Sequence, residues 1–132
     1  MTALEQLNRS HHVLLTTYRR DGRPVPTVLG VAVDELGQVC MLTKPATGKV
    51  KRIRAGSRVT VTPCDGRGRI ADGATGVDGT ARLLDDAGTR RVRRLMTRKY
   101  LTARLVLWTD GLRPRNRRWV GISVTLCTEQ RP

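Results

Sequence analysis

Phenylalanine is absent from the 132 residues, and aromatics of all kinds make up only 3%. The interior must be built from Val, Leu, Ile and Ala, a supply that favours strands wherever β-branched residues cluster. Cysteine is also scarce: Cys40, Cys64 and Cys127 are an odd number and contain no C-x-x-C pair. That pattern excludes a disulfide framework and a thiolate zinc site, and leaves free, buried thiols as the expectation. Histidine occurs only as the adjacent pair His11 and His12, at a strand entrance. No Ser-His-Asp, Cys-His or paired-carboxylate constellation can be assembled, so no catalytic acid or base is assigned. Tyr18 and Tyr100 have hydroxyls suited to proton donation, but packing with a satisfied hydroxyl is the expectation for both. No apolar run approaches membrane-spanning length, and Met1 to Leu7 lacks the basic-then-apolar order of a secretory signal, so a cytoplasmic protein is expected.

Acidic residues are few as well. Eleven Asp+Glu stand against 25 Lys+Arg, a net charge of +14. Such a balance attracts polyanions: nucleic acid, an anionic membrane surface, or a small ligand carrying several negative charges. Arginine supplies 21 of the cations, which codon usage in a GC-rich genome also produces, so charge does not choose among these partners. A basic nucleic-acid-binding protein is one alternative reading. It is opposed by the lack of stacking aromatics and of any helix-turn-helix or zinc pattern.

With 39% hydrophobic residues the chain has enough apolar content to fold, and its length fits one domain. Leu4 and Leu7 behind Thr2 predict a short leading helix over Thr2 to Arg9. His12 to Tyr18, Pro24 to Val33 and Val39 to Thr43 read as three strands of an antiparallel meander, with Asp21-Gly22 as the first hairpin turn. Arg58 to Cys64 alternates as a fourth strand, Asp65 to Gly76 is an exposed glycine-rich loop, and Val77 to Leu84 is a fifth strand. Asp85 or Asp86 caps a helix to Tyr100 with Val92, Leu95, Met96 and Tyr100 on one stripe, and the apolar Leu101 to Trp108 extends it by a turn or two. Trp119 to Cys127 alternates most regularly and makes a sixth strand. Six strands with two or three short helices predict an α+β, mainly β, six-stranded antiparallel barrel, since closing the sheet removes exposed edges.

The stretch from Val39 to Gly56 is the most ligand-like. A strand ends at Thr43, Pro45 interrupts, and Thr47 stands at the N-cap of a helix that stops near Gly56. Free N–H groups, the positive end of the dipole and the Thr47 hydroxyl converge there with Lys49 nearby, an arrangement suited to a phosphate. Val50 and Ile53, about 60° apart on the helical wheel, define its buried stripe; Lys49 emerges at the edge of that stripe and Lys51 in solvent. The bland alternative is a solvated basic helix that only supports the core.

Leu14 to Thr27 (LLTTYRRDGRPVPT), Leu42 to Arg69, Gly79 to Leu84 (GTARLL) and Arg98 to Leu101 (RKYL) together resemble the split β-barrel proteins related to pyridoxamine 5'-phosphate oxidase. The chain looks most like their actinobacterial deazaflavin branch, which uses coenzyme F420. The resemblance implies a homodimer with two cofactor clefts at the subunit interface. It also implies a phosphate held by Thr43, Thr47 and Lys49, and a second strand, Val25 to Val31 with Thr27 and Leu29, beside the tricyclic ring. Lys44 and Arg52 would face the acidic oligoglutamate tail of F420. The activity implied is hydride transfer between the reduced deazaflavin and a small conjugated organic substrate. FMN is the alternative cofactor, and a non-catalytic cofactor carrier is the alternative role. Where relatives often carry Val-Trp-Phe, this chain has Leu29-Gly30-Val31, so a wider cleft is expected.

Overall fold

The computed structural model describes residues 2–44, 48–55, 58–70, 73–101 and 119–127. In chain order they form α1 (Ala3–Arg9), β1 (His12–Tyr18), β2 (Pro24–Gly30), β3 (Ala32–Val33), β4 (Val39–Thr43), α2 (Gly48–Ala55), β5 (Arg58–Cys64), β6 (Val77–Leu83), α3 (Asp86–Leu101) and β7 (Val120–Leu126). The expected helical extension past Leu101, and the proposed caps Thr47 and Gly56, lie outside the described residues.

Local chemistry explains the boundaries. Thr2 and Glu5 form a reciprocal capping box at the start of α1: the Glu5 N–H donates to the Thr2 hydroxyl at 3.1 Å, and the Thr2 N–H to the Glu5 carboxylate at 2.8 Å. The β1–β2 turn closes as expected around Asp21 and Gly22, whose φ of 92° needs glycine. Asp85, rather than Asp86, caps α3, its carboxylate accepting the Gly88 N–H at 2.8 Å.

All strand pairs are antiparallel, and the order is β2-β1-β5-β6-β7-β4-β3. The two ends of that order, β2 and β3, are neighbours in sequence with Val31 alone between them, so the sheet curls into a split barrel. The expected single strand Pro24 to Val33 is thus two, which makes seven strands of the six. The cause lies far away in the chain. The Val31 N–H donates to the Tyr100 hydroxyl at 3.2 Å, and its carbonyl accepts from Lys99 Nζ and the Tyr100 hydroxyl, each at 2.9 Å. With both backbone groups occupied, Val31 cannot extend either ladder.

The core is aliphatic, as the missing phenylalanine requires. Val13 and Leu15 of β1, Val39 and Met41 of β4, Val59 and Val61 of β5, and Ile122 and Val124 of β7 are all fully buried. Each such side chain contributes about 1.5–3 kcal/mol of transfer free energy. Leu7 enters from α1, and Val50 and Ile53 from α2, the two stripe residues read from the sequence. Helix α1 packs against β3 and β5, α2 against β1 and β6, and α3 against β3, β4 and β7. Cys40 and Cys64 are buried free thiols; Cys127, one residue past β7, is exposed, against expectation.

Candidate functional site

Alternation along β4 turns Val39, Met41 and Thr43 inward, and Thr43 is only 2% exposed, paired with Val120 of β7. Among the described residues its hydroxyl has no hydrogen-bond partner. A buried hydroxyl at a strand end, without a partner, is the kind of atom a ligand satisfies. Lys44 follows, exposed, and α2 begins at Gly48 with Lys49 as its second residue. Thr47 and the Lys49 side chain lie outside the described residues.

The three helices treat their N-termini differently. Glu5 stands in the first turn of α1 and Asp86 in that of α3, where a carboxylate offsets the dipole. The first turn of α2 has no acidic residue. An external anion would meet no like charge from that turn.

The remaining expected site residues are placed as follows. Arg52 is half-buried, and its Nε donates to the Thr17 hydroxyl at 2.6 Å, bracing α2 against the end of β1. Thr27 and Leu29 lie opposite Leu15 and Val13 across the β1–β2 ladder, so they share the inward face, and Leu29 packs against the core. Both side chains are only half-buried. Strand β2 also offers an open edge, because it pairs with β1 alone and stands at the end of the strand order. Pro24 and Pro26, which lack an N–H, are tolerated on such an edge.

A second polar cluster, missed from the sequence, lies at the break after β2. Lys99 Nζ donates to the carbonyls of Ser10 at 2.5 Å and Val31 at 2.9 Å, and the Tyr100 hydroxyl shares its one proton between the Val31 carbonyl and that of His11, the nearer at 2.5 Å. Burial pushes the Lys99 ammonium down to about 8 and the Tyr100 phenol up. The signal was present in the sequence: Lys99 is seven residues after Val92 and four after Leu95, inside the apolar stripe of α3. Both tyrosine hydroxyls are engaged, since Tyr18 shares a 2.7 Å hydrogen bond with Thr60, which itself donates to Asp78 at 2.9 Å.

Lys99 sets a pH dependence of known sign. An unfolded lysine keeps its proton to about pH 10.4, whereas the folded chain begins to release this one near pH 8. Between those values the unfolded state binds more protons, so this residue makes stability rise with pH across the window. The Lys99→Met variant is expected to lose that rise, seen as a wild-type minus variant stability in urea that grows from pH 7.5 to about pH 9.5. A flat difference would place the ammonium in solvent.

Among the described residues no helix is long and apolar enough to cross a membrane, and no cluster of His, Cys, Asp or Glu could hold a metal ion.

The architecture is that of the split-barrel proteins. Of solved structures, a conserved hypothetical protein from Mycobacterium tuberculosis is similar at a TM-score of 0.73 and 21% identity, covering 97% of this chain and 82% of that one. An F420 reductase is similar at 0.65 and 19% identity, covering 94% and 92%. A FAD-binding protein from Mesorhizobium loti is similar at 0.57 and 22% identity, covering 95% and 96%. The chain belongs to the pyridoxamine 5'-phosphate oxidase family, whose sequence profile matches residues 2–130. Among curated proteins nothing matches it.

Proposed function

We propose that the protein is an F420-dependent oxidoreductase, working as a homodimer with the cofactor at the subunit interface. Hydride would pass between the reduced deazaflavin and a small conjugated organic molecule. The observation that carries this reading is the junction of β4 and α2. There the buried hydroxyl of Thr43, without a partner among the described residues, precedes the one described helix whose first turn has no carboxylate. Thr43, Lys44, Thr47 and Lys49 would hold the phosphate, with donors fixed by the backbone before the ligand arrives. The F420 reductase among the similar structures supports a deazaflavin as the cofactor.

When bound, the deazaflavin supplies the hydride, and the chain's own task is positional. The helix dipole and Lys49 orient the phosphate end, and Lys44 adds a cation for acidic groups beyond it. The open edge of β2 gives the ring a backbone wall. Gly30, where relatives often carry Trp, leaves room beside that wall for substrate.

Fluorescence titration with F420 tests the reading. The wild type is expected to bind, and Lys49→Ala to bind about tenfold or more weakly, the scale of a lost charge-assisted hydrogen bond of about 1.5–3 kcal/mol. Undiminished binding in Lys49→Ala would reject the phosphate locus. A second reading, FMN as the cofactor, is favoured by the family itself and by the FAD-binding relative. Wild-type protein that takes FMN and ignores F420 in a parallel titration at the same salt would establish it instead.

A further inference from the structure

A groove of about 590 Å³ opens between α3, the β3–β4 turn and the outer face of the sheet. Arg91, Arg94 and Arg98 of α3 line it together with Arg82 of β6, and Cys40 and Ser123, both nearly inaccessible, form its floor. Spacings of three, four and seven residues bring the three helical arginines onto one stripe about 10 Å long. Arg90 and Arg93, equally exposed on the same helix, do not line the groove.

The groove holds more cations than carboxylates. Among the described residues none of the four arginines forms a hydrogen bond or an ion pair, although like charges this close repel. The two carboxylates that line it are Asp34 and Glu35, both in the turn. One oxygen of Asp34 already accepts the N–H groups of Leu36 and Gln38, each at 2.9 Å. On the floor the side-chain carbonyl of Gln38 is taken by the hydroxyls of Ser123 at 2.6 Å and Thr125 at 3.1 Å. The other oxygen of Asp34 meets only the Cys40 thiol, at 4.0 Å, so four arginines line the groove against two carboxylates, a formal excess of two positive charges. A guanidinium matches the paired oxygens of a phosphate, and the volume is that of a small-molecule site rather than of a macromolecular interface.

We propose that this groove binds a small polyanion carrying adjacent phosphate groups. It shares no residue with the F420 site proposed above, so the two stand or fall separately.

Isothermal titration of the full chain with inorganic tripolyphosphate, at about 0.15 M salt to screen diffuse attraction, tests the proposal. One site per chain is expected. Arg91→Gln/Arg94→Gln should weaken binding about tenfold or more, and Arg82→Gln, on a different element, should weaken it too. Arg90→Gln/Arg93→Gln removes the same charge and should stay within about threefold of wild type. All these side chains are exposed, and circular dichroism would verify that each variant keeps its fold. The proposal is overturned if the wild type does not bind, or if the two double variants lose affinity alike, which would be diffuse attraction to a basic chain. Loss of tripolyphosphate binding in Lys49→Ala but not in Arg91→Gln/Arg94→Gln would place the anion at α2 and equally overturn it.

Discussion

Ile122→Ala is expected to destabilise the fold by about 2–5 kcal/mol, with a fall in Tm on the order of 10 °C. Ile122 is fully buried in β7, and its neighbours across the ladders are Met41 of β4 and Leu83 of β6. Truncation removes apolar surface and also leaves a hole, because strands held on both edges by hydrogen bonds cannot close in to fill it. A core without large rings has no flat side chain to swing into the vacancy. Ile122→Val deletes one methylene and should lose only about 0.5–1.5 kcal/mol. Urea unfolding of both variants gives the measurement, and equal losses would mean that the interior is loosely packed at this point.

The second large effect is expected at Gly79 in β6. A Cβ built there lies 2.7 Å from a Val124 methyl and 2.8 Å from the Thr125 carbonyl oxygen, in the adjacent strand β7. The carbonyl belongs to the ladder and cannot retreat, so Gly79→Ala should lose about 1–3 kcal/mol by forced displacement. Gly30 is the contrast. A Cβ there meets nothing closer than the Tyr100 hydroxyl at 3.6 Å, so Gly30→Ala should be neutral or gain up to about 1 kcal/mol through the unfolded state. The two thermal scans together separate a glycine demanded by crowding from one that merely leaves space. Gly30 is thus not a packing requirement.

Much of this fold could be read from the residues. The alternation of β7, the hairpin at Asp21-Gly22, and the Val50 and Ile53 stripe all follow from periodicity and turn chemistry, which act over a few residues. The direction of Thr43 follows from the same period of two. What escaped is what depends on distant partners. The division of Pro24 to Val33 is imposed by Lys99 and Tyr100 acting on one backbone unit, and nothing within the strand itself signals it. Arg52 illustrates the same point: the helical wheel gives its flank, but its engagement with Thr17 depends on where β1 ends. Leu29 likewise takes its packing from a partner the strand does not name, Val13 across the ladder.

The strand order has a consequence for how the chain is born. Val39 in β4 pairs with Val124 in β7, so one border of an early strand waits until β7 has been made. Until then β4 offers unsatisfied amides and an apolar surface to any passing polypeptide. Fragments ending before residue 120 should therefore collect in inclusion bodies, even though they contain most of the interior.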